Sequence, residues 1–170
     1  MDLELENKLK DTFPVMFEEM HGDKATTCMH FGCECHNGWY NIINQLCMSI
    51  DSYINTASKD RQRELARNIL VNEKRWDELP KWDRLPGEHP VVRPVTDAVD
   101  PVVFKQIKEK FGTLTIYFTG GDAVVSNLIH LADLISSVTC ENCGSPGVQR
   151  TGGWIRVQCD GCYGSDNTAN

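Results

Sequence analysis

Apolar residues recur at helical spacing in three stretches of the chain. The broadest stripe begins after Asn37, which is placed to cap a helix, and it predicts a core helix over 37–55. Residues 59–73 have a narrower apolar face, which indicates a surface helix. A Gly120-Gly121 turn and a capping Asp122 predict another helix over 122–137. The core stripe consists of Trp39, Ile42, Ile43, Leu46, Cys47, Ile50, Tyr53 and Ile54.

The N-terminal segment also has helical spacing, but a proline interrupts it. Asp2 is positioned as an N-cap, and Gly22 is a natural stop. Pro14 should break or restart the helix near Phe13, which predicts two short helices or one kinked helix. The apolar positions are Leu9, Phe13, Met16, Phe17 and Met20.

The middle of the chain favours extended structure. Residues 102–118 are ambiguous, because Asp100-Pro101 resembles a helix start and the spacing of Phe104, Ile107 and Phe111 fits a helix. Residues 113–118 alternate as a strand, and we predict at least this one strand. Between residues 76 and 101, five prolines exclude long helices and central strands. This connection either wraps the surface or forms a functional loop, and we favour a wrapped connection anchored by Trp76 and Trp82.

Composition indicates a folded, acidic protein. The chain has 170 residues, 41% of them hydrophobic and 24% charged, which suits one domain with a small metal-stabilised appendix. Its first twenty residues are acidic and amphipathic, unlike an export signal, so we expect a soluble cytoplasmic protein without membrane contact. A net charge of −7 disfavours nucleic acid unless a local basic patch forms around Lys105, Lys108 and Lys110.

Cysteine spacing gives the strongest chemical signal. A C-E-N-C motif is followed after fifteen residues by C-D-G-C, so Cys140, Cys143, Cys159 and Cys162 match the two knuckles of a zinc ribbon. The predicted hairpin strands include 148–150 and 154–158, joined at Gly152-Gly153. Redox pairs are the alternative, but neither pair begins a helix in a βαβ unit. We predict one structural Zn²⁺, closed by four thiolates.

A second, weaker ligand cluster lies near the first predicted core helix. It offers five potential ligands in nine residues, although Cys-x-Cys departs from knuckle spacing and an isolated cysteine is often a small buried hydrophobe. A second metal is therefore a minor hypothesis. The cluster consists of Cys28, His30, Cys33, Cys35 and His36.

Ligand or partner contacts are proposed at one hairpin and its basic neighbours. Trp154 beside arginines suits stacking on a base with phosphate contacts, but packing of Trp154 onto the preceding helix is favoured. The segments before Trp39 and Asp122 lead into helix N-termini, where anions can bind, and turn or capping chemistry explains both equally well. The contact candidates are Trp39, Lys108, Lys110, Arg150, Trp154 and Arg156.

Three segments together resemble a family: FGCECHNGWYNIINQLC, QIKEKFGTLTIYFTGGD and TCENCGSPGVQRTGGWIRVQCDGCYG. The chain resembles small zinc-ribbon proteins of tailed bacteriophages and prophages, over roughly residues 29–50 and 103–163. Those proteins tend to carry an acidic residue before Gly-Trp and fewer cysteines, where this chain has Cys-His-Asn. The resemblance implies a protein that acts by binding host factors, defence proteins or nucleotide signals.

These features predict an α+β fold with a helical core, a small β-sheet and a C-terminal four-cysteine zinc ribbon. The expected organisation is a mainly helical domain over 1–137 that includes the proline-rich connection, a ribbon over 138–163 and a flexible tail over 164–170. We expect a non-catalytic phage-type accessory protein that binds and modulates a host protein in the host cytoplasm, with counter-defence as one role. The alternatives are a protein that sequesters a signalling nucleotide and a ribbon that binds nucleic acid.

Two further questions stay open at the level of sequence. Homo-oligomerisation is compatible with the pattern, which does not specify it. An enzyme is the least supported class, because no nucleophile, base and orienting group come together and catalysis would need an open metal in the Cys28–His36 cluster.

Overall fold

A computed structural model describes residues 1–84, 86–151 and 153–168 of the chain. Helices and strands are mixed, as the predicted α+β class requires. The chain divides into two compact units, Met1–Asp51 with Asp100–Asn170, and Ser52–Val99.

In the first unit, helix α1 (Leu3–Thr12) ends immediately before Phe13 and Pro14, as predicted. The chain then continues in turns, so the segment is one helix and not two. All five predicted apolar positions of this segment are buried. Phe17 packs edge-to-face on Phe104 at a centroid distance of 5.2 Å, which ties the segment to the sheet.

The sheet contains β1 (Cys33–Glu34), β2 (Val103–Lys110) and β3 (Thr113–Thr119), in that spatial order. β1 is parallel to β2, and β2 forms an antiparallel hairpin with β3. The helix that the spacing of Phe104, Ile107 and Phe111 fits is therefore not formed, because a two-residue turn with positive φ at Phe111 (53°) and Gly112 (85°) pairs this segment, as β2, with β3.

Two helices complete the core of the first unit. Helix α3 (Ala123–Ser136) follows the predicted Gly-Gly-Asp turn, and Asp122 Oδ1 accepts from the backbone N–H groups of Val124 and Val125 at 2.9 and 3.1 Å. Helix α2 runs without interruption from Tyr40 to Asn72, where the sequence predicted two helices. Residues 56–58, which separated the two predictions, contain neither proline nor glycine to break the helix.

The C-terminal ribbon has the strands β4 (Val148–Arg150) and β5 (Arg156–Gln158), paired antiparallel. β5 begins two residues later than predicted, so Trp154 lies in the connection. Of the predicted Gly152-Gly153 turn, Gly152 is outside the described residues. Helix α4 (Asp160–Thr168) covers the start of the segment that was expected to be a flexible tail.

In the second unit, polar side chains of α2 hold the proline-rich connection. Asn68 Nδ2 donates to the Arg93 carbonyl at 2.8 Å, and the Arg93 N–H donates to Asn68 Oδ1 at 3.0 Å. Arg67 Nε donates to Asp83 Oδ2 at 2.6 Å. The connection is therefore anchored, but the prediction that Trp82 anchors it is wrong, because this side chain is 82% exposed. Trp76 does contact the segment, with its ring 4.5 Å from the His89 ring.

Candidate functional site: a four-thiol metal centre and an aromatic cavity

The four ribbon cysteines converge on one point. Their sulfur atoms all lie within 4.8 Å of one another, and the cysteines are free thiols. Cys143 Sγ is 3.7 Å from Cys159 Sγ. A tetrahedral Zn²⁺ with Zn–S bonds of about 2.3 Å places its sulfurs about 3.8 Å apart, so this spacing fits one metal ion.

Tight backbone turns present these sulfurs. In the first knuckle, the Gly144 N–H donates to the Cys140 carbonyl and the Cys140 N–H donates to the Ser145 carbonyl, both at 2.8 Å. In the second, the Cys162 N–H donates to Cys159 Sγ at 3.5 Å. N–H groups directed at a sulfur favour the thiolate, which is the form that binds metal.

The thiols differ in how readily they ionise. Hydrogen bonds from the Ser145 side chain and backbone lower the pKa of Cys143 to about 6. The pKa of Cys162 is raised, mainly through its hydrogen bonds with Cys143 and Cys159. Metal binding to this group must displace protons, so its affinity will depend on pH.

The first knuckle is packed into the core of its unit. The Gly38 N–H donates to the Glu141 carbonyl at 2.8 Å, and Trp39 Nε1 donates to the Thr139 carbonyl at 2.9 Å. A Cβ on Gly38 would lie 2.4–2.5 Å from knuckle backbone atoms. The interpretation of this Gly-Trp pair as an anion-binding helix start or an exposed ligand contact is therefore wrong, since Trp39 is fully buried.

Glu141 makes a second connection between the knuckle and the segment before α2. Its Oε1 accepts from the His36 N–H at 3.0 Å. Burial raises the pKa of this carboxyl group, and the His36 N–H partly opposes that rise.

The second predicted cluster does not form a metal centre. Among the described residues, the ribbon cysteines are the one group of three or more His, Cys, Asp or Glu ligands that gathers closely enough for a metal. Cys33 and Cys35 are buried, and burial raises the pKa of Cys35 to about 12. Cys28 is exposed, and His30 Nδ1 lies 2.5 Å from the Gly22 carbonyl oxygen. These cysteines match the alternative of small core residues, apart from Cys28.

A cavity of about 330 Å³ lies where β2 ends beside the ribbon hairpin. β1 pairs with β2 at Ile107 and Lys108, and β2 extends past it to Lys110. Trp154 is 73% exposed and Phe111 is 70% exposed, so the expectation that Trp154 packs onto the preceding helix is wrong. The lining residues are Lys108, Glu109, Lys110, Phe111, Gly153, Trp154 and Ile155.

Hydrogen bonds orient the polar and aromatic parts of this cavity. Trp154 Nε1 donates to Glu109 Oε2 at 3.1 Å, and the Gly112 N–H donates to Glu109 Oε1 at 2.6 Å. The ammonium groups of Lys108 and Lys110 lie 5.4 and 5.7 Å from the ring centroids of Tyr117 and Phe111. The residues that line the cavity therefore include two aromatic side chains, two lysines and one carboxylate held by hydrogen bonds.

The remaining predicted contact residues are placed elsewhere. Arg150 and Arg156 oppose each other in the β4–β5 register, and neither lines the cavity. Arg150 forms an ion pair with Asp160 and lies 4.7 Å from the Tyr163 ring centroid. Lys105 forms an ion pair with Glu19, so it does not join the other two lysines in a free basic patch.

A second concave surface is apolar. A groove of about 320 Å³ separates the first turns of α2 from α3. Two of its lining residues on α3, Leu131 and Ile135, are exposed, and so is Leu134 on the same helix. The groove is lined by Asn41, Ile42, Gln45, Leu46, Ser49, Leu128, Leu131, Ala132 and Ile135, none of them charged.

No protein-family model matches this chain, and no curated protein or solved structure matches it either. In the described part of the chain, no helix is both long and apolar enough to cross a membrane.

Proposed function

We propose that this protein binds a nucleotide-type ligand in the cavity between the β2–β3 turn and the ribbon hairpin. One observation carries the proposal: two exposed aromatic rings and two lysines line the same cavity. Stacking of a base on an aromatic side chain contributes about 1–3 kcal/mol. An ammonium group attracts phosphate, so the cavity supplies partners for both parts of a nucleotide.

Size and charge favour a small ligand over a nucleic acid. The cavity volume of about 330 Å³ is at the lower end of the range for small-molecule sites. A chain with a net charge of −7 repels a long polyanion, whereas one or two phosphates need only the local lysines. Sequestration of a signalling nucleotide is the activity that this site supports best.

In this proposal the four thiols hold one Zn²⁺, which is the ion that four cysteine ligands prefer. Four thiolates leave no open coordination position, so the ion contributes to folding and does not activate water. The hairpin that carries Trp154 runs between Cys143 and Cys159. The metal centre therefore supports one wall of the proposed ligand site.

Equilibrium binding of AMP, GMP, CMP and UMP to the zinc-loaded protein tests this function. We expect measurable binding of at least one nucleotide, and Trp154→Ala should weaken it by about tenfold or more through the loss of stacking. Trp82→Ala is the matched control, since Trp82 is also largely exposed but lies in the other unit. Binding that is absent at millimolar nucleotide, or unchanged in Trp154→Ala, would refute the proposal.

A second candidate function is binding of a host protein, as the phage resemblance implies. The uncharged groove between α2 and α3 favours it, because interface cores are depleted of charge and exposed apolar patches mark binding surfaces. An amphipathic helix is a suitable occupant of such a groove. If this function is correct, a stoichiometric partner from bacterial lysate should be lost in Leu131→Arg and kept in Trp154→Ala. Light scattering would show whether a second copy occupies the groove instead.

A further inference from the structure

The cavity contains one carboxylate, and its position is fixed by neutral donors. Glu109 Oε1 accepts from the Gly112 N–H at 2.6 Å, and Oε2 accepts from Trp154 Nε1 at 3.1 Å. The ion pairs found among the described residues do not include Glu109, so neither cavity lysine neutralises it at short range. A carboxylate in a proposed nucleotide site repels phosphate. Phosphate binding therefore does not explain why Glu109 lies there, and another part of the ligand must interact with it.

The hydrogen bonds leave capacity on both carboxylate oxygens. An ionised carboxylate only accepts, and its two oxygens together offer about four lone-pair positions. Two of these positions receive the Gly112 and Trp154 donors, one on each oxygen. Each oxygen can still accept a hydrogen bond from a ligand, so Glu109 is suited to two neighbouring N–H donors.

Guanine is the base that offers such a pair on its Watson–Crick edge. Its N1–H and its 2-amino group are adjacent donors, and they match the two oxygens of a carboxylate. Adenine presents an unprotonated N1 beside its amino group, and cytosine presents an unprotonated N3, so either base would direct a lone pair at the carboxylate. Uracil offers one N–H between two carbonyl groups.

We infer that Glu109 is the specificity-determining residue of the cavity and that it selects guanine nucleotides. The inference rests on the proposed function, because it requires the base to stack on the aromatic walls. Trp154 contributes twice in this arrangement: it is one of the residues that line the cavity, and its indole N–H donates to the carboxylate that would read the base edge. Lys108 and Lys110 line the same cavity and are available to the phosphate.

Calorimetric titration of the zinc-loaded full chain with GMP, IMP and AMP tests the inference without any mutation. A bidentate contact to a base edge discriminates by about tenfold or more, so GMP should bind at least tenfold more tightly than AMP. IMP retains N1–H and lacks the 2-amino group, and its affinity should lie between the two. The inference is overturned if GMP and AMP bind within threefold of each other.

Glu109→Gln tests the residue itself. The amide has one oxygen and one NH₂ group, so the variant should reduce the preference for GMP over AMP to less than threefold, with AMP affinity kept or increased. Glu34→Gln is the matched control, because it removes the same charge from a neighbouring strand and should keep the GMP preference. A full GMP preference in Glu109→Gln would overturn the assignment of this residue.

The outcomes distinguish guanine selection by Glu109 from nucleotide binding in the cavity. Equal binding of GMP and AMP that Trp154→Ala still weakens refutes guanine selection and supports the proposed nucleotide site. Binding of no nucleotide refutes the proposed function, and the guanine inference fails with it.

Discussion

Two regions of this protein are held in place without long regular structure, and they use different physical means. The first cysteine knuckle is held at its backbone carbonyl groups by uncharged donors: the Gly38 N–H donates to the Glu141 carbonyl, and the Trp39 indole Nε1 donates to the adjacent Thr139 carbonyl. The proline-rich connection of the other unit is fixed by side chains, namely Arg67 with Asp83 and Asn68 with the backbone of Arg93.

The difference shows which perturbation each region will resist. Hydrogen bonds from neutral donors to backbone carbonyls do not depend on the charge of a side chain, but at this knuckle they depend on close steric fit and on the metal that we propose. An anchor made of ion pairs and amide hydrogen bonds tolerates loss of metal and depends on side-chain charge.

Metal removal should have the largest effect. The loss of stability should be confined to the cysteine knuckles and should not reach the proline-rich connection. Four-cysteine sites contribute folding free energy directly, so full chelation should lower the stability of the ribbon by several kcal/mol. Elemental analysis should give one metal per chain, and calorimetry with and without chelator measures the loss. Cys28→Ser should retain the metal. An unchanged melting temperature after complete removal would contradict a folding role for the centre.

Gly38→Ala should lower the stability of the fold more than any other addition of a single methyl group near the first knuckle. The added Cβ would lie 2.4 Å from the Cys140 carbonyl oxygen and 2.5 Å from that of Glu141. Such overpacking against backbone costs about 3 kcal/mol, measurable by chemical denaturation. Gly164→Ala is the control, since nothing lies within 4 Å of the position and alanine favours a helix. Equal stability of the two variants would show that the knuckle does not approach Gly38 so closely.

Arg67→Ala should loosen the proline-rich connection and leave the metal centre unchanged. The Asp83 side chain is only 5% exposed and keeps its ion pair with Arg93, so loss of its hydrogen bonds to Arg67 should cost about 1.5 kcal/mol. Hydrogen exchange over 83–96 should accelerate, with metal content unaltered. Arg63→Ala, which removes an exposed ion pair, should change stability by less than about 0.5 kcal/mol. Unchanged exchange in Arg67→Ala would show that other contacts hold the connection.

Acidification should produce the smallest and most selective effect. Arg67 lowers the pKa of Asp83 below its ordinary value of 3.8. A carboxyl group with a lowered folded-state pKa stabilises the fold above its unfolded pKa, and this contribution declines as the pH falls through the folded value. Residues 83–96 should therefore exchange their amide hydrogens more slowly in wild type than in Asp83→Asn at pH 6. This difference in exchange rate should be smaller at pH 3. A difference that stays constant would contradict the ion-pair account.

Sequence patterns were sufficient where local chemistry decides the structure. Pro14 ended α1 at Thr12, Asp122 capped α3, and the cysteine spacing gathered four sulfurs within 4.8 Å. Each of these outcomes depends on residues a few positions apart, or on a spacing that matches one known ligand geometry. The same patterns were insufficient over 102–111, where the apolar spacing fits a helix but pairing with β3 makes the segment a strand.

The roles of several side chains depend on residues that are far away in the sequence. Trp39 belongs to the core because Thr139, a hundred positions away, accepts its indole N–H. Trp82 is exposed, although a large aromatic residue in the proline-rich connection suggested an anchor. Glu109 and Trp154 form one arrangement across 45 positions of sequence. No local pattern reports such pairs, because burial and hydrogen bonding depend on which chain segments meet.

The sequence by itself therefore determined the α+β class, the ends of α1 and α3 and the four cysteines that gather as a candidate metal site. Tertiary structure alone decided that the knuckle closes against Gly38, that the Cys28–His36 cluster does not gather, and that Lys108, Lys110, Phe111 and Trp154 share a cavity. Helix caps, proline breaks and knuckle turns are short-range and follow from residue type. A cavity is formed by residues far apart in the chain, and only the packed fold brings them together.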